Sequence, residues 1–210
     1  MNEDLSLAQS LEQEGVSAVN RSKLYRYLDI LGTRDEPTRR HSIRVGVRSA
    51  EAAKVVIGKL SVNSKMMLWA GLLHDVGKAL VDPDLFRSVG AFTEDDYRRM
   101  EPHVEYGWRL LREIHVYTAH IIVRHHRHGS RPYPAELPPL PDFLKRQEGS
   151  INDNGRLLAL VDYYDAITTR ENEKFGKLLA PLEKRAKFLE ANVDVRDVIA
   201  ALERKKVFVF

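Results

Sequence analysis

The run Met67-Leu68-Trp69-Ala70-Gly71-Leu72-Leu73-His74-Asp75-Val76-Gly77-Lys78 is apolar around almost a full helical circumference and then turns abruptly polar. A helix apolar on most faces is buried by its neighbours, so Ser61 to Lys78 reads as a long central helix. At its polar end an imidazole and a carboxylate stand side by side, with a lysine three residues on. A carboxylate has two oxygens and can bridge two cations. An adjacent imidazole can ligate one of them, and a nearby ammonium can hold a phosphate. Together these parts point to metal-assisted phosphate chemistry.

Outward from that run the chain reads as helices almost throughout. Residues 3–14 form a short helix ended by Gly15, and Arg21 to Leu31 another closed by Gly32. Asp35 is placed to cap the next helix, and Pro37 suits its first turn. Ile43, Val47, Ala50, Ala53, Val56, Ile57 and Leu60 recur at helical spacing. Thr93-Glu94-Asp95-Asp96 supplies a capping residue and first-turn acids for a further helix. Pro102 interrupts that pattern just before His103. Helices are expected over 106–114, 115–127, 155–170, 180–191 and 194–206. Between them, residues 130–154 read as one long irregular stretch, with five prolines in 132–141. No β-sheet can be assembled, so the fold class is all-α. Residues 1–35 read as a helical appendage to a domain over 36–206. The apolar tail Val207 to Phe210 is read as packing on the core, extending a dimer interface, or marking a truncation edge.

Composition narrows the function classes. Hydrophobic residues at 43% and charged residues at 30% are ordinary for a globular protein. A net charge of +3 is too mild to indicate nucleic-acid binding, and no basic stripe with interleaved aromatics occurs. The apolar runs are too short to span a bilayer, and the acidic start carries no leader pattern, so cytoplasm and no membrane contact are expected. Cysteine is absent, so any metal must be held by His, Asp or Glu.

Five of the eight histidines stand at a helix end or beside another charged or imidazole side chain: His41, His74, His103, His125 and His126. Successive helical residues point about 100° apart. The pair His125-His126 therefore reaches one site only over a helix end or across two metals. Asp162 and Asp165 lie within the apolar run Leu157 to Ala166, where a buried carboxylate must be paired or ligated. Asp165 is also readable as structural, holding a histidine ring or a helix end. His115, His120 and His128 read as ordinary core or surface residues.

As a set these motifs resemble the HD superfamily of metal-dependent phosphohydrolases, and more closely its HD-GYP branch. The likeness runs from about His41 to Lys174. His41-Ser42-Ile43-Arg44-Val45 matches the first histidine, and His74-Asp75-Val76-Gly77-Lys78 the signature. His103 matches the third ligand position, His125-His126 the paired one, and Asp162-Tyr163-Tyr164-Asp165-Ala166 the final aspartate. The resemblance implies an all-α HD-domain bundle with iron or manganese as metal; zinc, nickel and cobalt are the alternatives. It also implies hydrolysis of cyclic di-GMP.

The departures carry expectations of their own. After His126 the chain reads Arg127-His128-Gly129-Ser130-Arg131-Pro132-Tyr133-Pro134. Arg127 replaces an acid and Pro132 the glycine before Tyr-Pro, so this loop should take a different path. Pro37 replaces the acid of trinuclear members, which implies two metals. Asp75 is then the bridge. His41, His74 and Asp162 complete one metal, and His103, His125 and His126 the other. Asp75 and Lys78 are the expected catalytic residues. Lys78, Arg44, Arg170 and Lys174 are the expected substrate contacts. A phosphodiesterase acting on a cyclic dinucleotide is the leading function. A nucleotide phosphomonoesterase, or a lapsed nucleotide- or protein-binding module, is the alternative. A small nucleotide is the expected ligand, with a homodimer or a regulatory protein as further partners.

Overall fold

The computed structural model describes residues 3–87, 92–129, 131–169 and 179–210. Among these the chain forms α1 (Glu3–Gln13), α2 (Ala18–Arg34), α3 (Glu36–Val56), α4 (Ser64–Leu73), α5 (Asp84–Arg87), α6 (Glu94–Met100), α7 (His103–Leu111), α8 (Val116–Ile122), α9 (Glu148–Thr169), α10 (Pro181–Ala191) and α11 (Arg196–Arg204). An isolated bridge between Ile57 and Leu60 is the sole β pairing among the described residues. The fold is all-α, and no described helix is long and apolar enough to cross a membrane.

The central helix is α4, with every residue from Met67 to Leu73 buried. It lies against α3 at very short range. A Cβ on Gly71 would stand 2.6 Å from the Gly46 Cα, so only glycines allow this crossing. The crossing sets α3, which carries His41, beside the end of α4. Asp35 accepts from the Thr38 amide at 2.9 Å and starts α3, with Pro37 in the first turn as expected. Thr93 and Asp96 form a reciprocal cap on α6. Leu7, Leu11, Leu24 and Leu28 of the N-terminal helices share one apolar core with Ile43, Leu68 and Leu158.

Of the boundaries that depart from expectation, three have a visible cause. The central helix stops at Leu73, and Val76–Leu80 is a 3-10 turn. The His74 ring donates to the Gly71 carbonyl at 2.8 Å, the acceptor a continued helix would offer to Asp75. α8 likewise ends at Ile122, before His125, whose ring takes the Ile122 carbonyl. Third, α9 begins at Glu148, preceded by a 3-10 turn at Asp142–Gln147, so the irregular stretch is shorter than the polar sequence implies. The reason is a clamp on the turn before α4. Asp153 accepts from the Ser61 amide at 2.7 Å, and Ser150 donates to the Ser61 carbonyl at 2.6 Å. Asn154 donates to the same carbonyl at 3.2 Å. Polar residues that read as loop are thus the working face of a helix.

The C-terminal tail packs on the core. Phe208 stacks on Tyr164 of α9 with ring centroids 4.1 Å apart. The Tyr164 hydroxyl donates to the Val209 carbonyl and accepts from its amide, at 2.7 and 2.8 Å.

Candidate metal centre

Seven residues from five elements converge at one end of α4. His41 comes from α3, and His74 caps α4. Asp75 occupies the turn that follows, with φ −97° and ψ 5°. His103 opens α7, His125 and His126 follow α8, and Asp162 lies within α9. Gly77 makes the approach of α7 possible, because any Cβ there would strike the His103 and Gly107 backbone.

Three overlapping groups of potential ligand atoms result: His41, His74 and Asp162; His74, Asp75 and His125; and His103, His125 and His126. Within each group the atoms lie within 4.8 Å of one another. Asp75 divides its two oxygens between the outer groups. Oδ2 lies 3.4 Å from Nε2 of His74 and 3.9 Å from that of His41. Oδ1 lies 3.4 Å from Nε2 of His103. His41 Nε2 and Asp162 Oδ1 stand 2.9 Å apart on the first group's side.

The outward nitrogens are fixed by their surroundings. Nδ1 of His41 meets Asp165 Oδ2 at 2.8 Å. Nδ1 of His74 and of His103 meet the Gly71 and Met100 carbonyls, each at 2.8 Å. Nδ1 of His125 meets the Ile122 carbonyl. A carbonyl only accepts, so each of those Nδ1 atoms carries the proton and each Nε2 presents a lone pair. Nε2 of His41, His74, His103 and His125, with Oδ1 of Asp75, are buried and form no hydrogen bond among the described residues. A buried unsatisfied polar atom costs about 1–3 kcal/mol. Five converging in one place fit a site built for divalent cations, with a nitrogen–oxygen donor set.

The electrostatics agree. Burial works against the Asp75 carboxylate, but His74, Lys78 and His103 hold its pKa well below the usual range. Burial also opposes ionised Asp162, and the His41 and His74 rings outweigh it. Burial pushes His103 down to about 3, helped by Lys78 and His125. It pushes His125 down to about 4, helped by His74. His126 falls well below its ordinary value through burial and its two histidine neighbours. His74 moves upward, because Asp75 and Asp162 outweigh its burial. Ionised carboxylates beside neutral His103, His125 and His126 are the protonation states a metal requires, and His74, whose proton the two aspartates favour, would release it on binding.

Not every expected residue joins the cluster. Lys78 does, donating to Asp75 Oδ2 at 2.6 Å. Arg44 does not: its Nε and Nη2 reach Asp165 at 3.0 and 2.9 Å, on the Nδ1 side of His41 and behind the cluster. The guanidinium expected to meet substrate is engaged here by the buried Asp165 carboxylate. Arg170 and Lys174 lie outside the described residues. Sequence reasoning missed Arg48, which donates to Asp165 Oδ1 at 3.1 Å. The available signal was its spacing, one turn beyond Arg44 on the same helix face. It also missed Tyr133, whose ring stacks on His126 with centroids 4.5 Å apart.

A helical bundle that gathers five imidazoles and three carboxylates around one buried turn defines an all-α protein with a histidine–aspartate centre. A sequence model of the HD domain family matches residues 38–167, more than half of the chain, and the chain belongs to that family. It is 29% identical over 177 residues to a Thermotoga maritima protein named cyclic di-GMP phosphodiesterase, covering 80% of this chain and 45% of that one. A Pseudomonas aeruginosa protein of the same name is 30% identical over 151 residues, covering 70% of this chain and 34% of the relative. A Vibrio cholerae 3'3'-cGAMP-specific phosphodiesterase is 26% identical over 156 residues, covering 72% and 28%. The chain thus spans less than half the length of each of these curated relatives.

Proposed function

We propose that this chain is a metal-dependent phosphodiesterase domain that opens a cyclic dinucleotide of the cyclic di-GMP type, using two divalent ions, iron or manganese. One observation carries the reading: Asp75 turns one oxygen toward His41 and His74 and the other toward His103. A single carboxylate so placed is suited to join two ions. The names of the relatives support the substrate class.

The ions, when bound, would activate a water and draw charge from the phosphodiester. The protein's own part is positional. His41, His74 and Asp162 would hold one ion, and His103, His125 and His126 the other. Lys78 keeps the shared carboxylate ionised and offers an ammonium beside the site to a phosphate oxygen.

The test is a panel of cyclic di-GMP, linear dinucleotides and mononucleotides, assayed with manganese and with iron after chelator treatment. Cleavage of the cyclic substrates supports the proposal. Turnover of mononucleotides alone would make this a phosphomonoesterase, and no turnover with any of them would leave a binding module.

A further inference from the structure

Four of the five clustered histidines share one device. Nδ1 is tied to an acceptor at Asp165, Gly71, Met100 or Ile122, and the tie aims Nε2 inward. His126 is the exception: among the described residues neither of its ring nitrogens makes a hydrogen bond. Its ring lies under Tyr133 instead, with centroids 4.5 Å apart and planes 24° from parallel. Tyr133 also meets the edge of His103 at 6.1 Å. A flat ring against an imidazole face restricts the tilt of that imidazole, as a hydrogen bond to Nδ1 would.

The tyrosine is itself held. Its amide donates to the His126 carbonyl at 3.3 Å. Beyond it, Arg127 donates to the carbonyls of Pro134 and Ala135, the latter at 2.8 Å. Arg127 follows His126 directly, so one guanidinium closes the loop back onto the ligand segment.

We propose that Tyr133 is the positioning residue for His126, replacing the missing hydrogen bond by stacking, and that Arg127 latches it there. The role rests on the two-ion reading above. It confines the effect to the ion held by His103, His125 and His126. The role belongs to the ring face that stacks on His126, which phenylalanine also presents.

Calorimetric titration of manganese into chelator-stripped protein tests this. The parent should take two ions. Tyr133→Ala should weaken one of them about tenfold and leave the other unchanged. Tyr133→Phe should match the parent. Arg127→Ala, which leaves the ring in place but frees the loop, should shift the same ion in the same direction. Thermal unfolding in chelator monitors the fold. If Tyr133→Ala melts far below the parent, Arg127→Ala with Tyr133→Phe decides the matter. Parental binding by both Tyr133→Ala and Arg127→Ala, or equal loss in Tyr133→Phe, overturns the role. A parent that takes fewer than two ions overturns the two-ion reading itself, and the proposal with it.

Discussion

Asp165 Oδ2 lies 2.8 Å from Nδ1 of His41, and the fully buried carboxylate is also gripped by Arg44, which reaches both oxygens, and by Arg48 on Oδ1. Burial alone would raise the pKa of Asp165; hydrogen bonds from His41 and Arg44 carry it far below the ordinary range instead. The fixed anion aims the first histidine. Asp165→Asn keeps the shape but lacks the charge that serves the ring and two guanidiniums together. Metal affinity should fall roughly ten- to a hundredfold, as it does when such outer partners are lost. Competition with a metallochromic chelator reads this directly, and undiminished affinity would remove Asp165 from the metal's support.

Asp75→Asn should cost both ions, since one carboxylate faces both groups of nitrogens. Metal analysis after manganese repletion and desalting should find fewer than one ion per chain, while the helical circular-dichroism signal persists. Two retained ions would show that Asp75 is not shared.

Gly77→Ala separates packing from ligation. The added methyl meets the backbone of His103 and Gly107, which cannot swing aside as a side chain would. Overpacking of this kind costs roughly 1–3 kcal/mol, measurable by urea denaturation. Because the strain pushes His103 from Asp75, binding of the ion assigned to His103 should weaken more than that assigned to His41.

Much of this was legible in the residues. An all-round apolar run marks a buried helix whatever surrounds it, so α4 could be placed from composition alone. The convergence of His41, His74, His103, His125, His126, Asp75 and Asp162 followed from residue type and position. The helix ends at Leu73 and Ile122 did not, because at each a histidine ring takes the carbonyl three residues before it, and periodicity is blind to where a ring points. The partner of Arg44 was hidden for a related reason. A lone arginine near a ligand suits a phosphate or a carboxylate equally, and its actual partner lies 121 positions away in sequence. The polar start of α9 resembled a loop because its capping-type side chains reach across to Ser61, with Asn154 also donating to the Ser150 carbonyl of its own helix.

Acid should loosen the metal-free protein. His103 and His125 are neutral when folded, with pKa values near 3 and 4 against about 6.5 in the unfolded chain. The unfolded state therefore binds protons first, and their contribution, full above pH 6.5, is lost as pH falls toward 4. At pH 5 the loss is on the order of 2 kcal/mol for each ring. His74, shifted upward, works in the opposite sense and offsets part of it. Urea midpoints in chelator should fall between pH 7 and pH 5; a flat profile would contradict the neutral assignment.

Phe208→Ala tests the tail. Phe208 is 2% exposed and stacks on Tyr164, next to Asp165. Truncating a buried phenylalanine costs roughly 3–5 kcal/mol. A loss under about 1 kcal/mol in urea denaturation would make the tail a decoration.

The carbonyls of Gly71, Met100 and Ile122 each accept a hydrogen bond from the histidine three residues on, at or beside a helix boundary. Boundary and ligand are thereby the same event at three places in the chain. Inserting one residue between any of these pairs would shift a helix end and turn a donor nitrogen away together. Indels there should be forbidden even where point substitutions nearby are harmless. The chemistry is spelled in spacing as much as in letters.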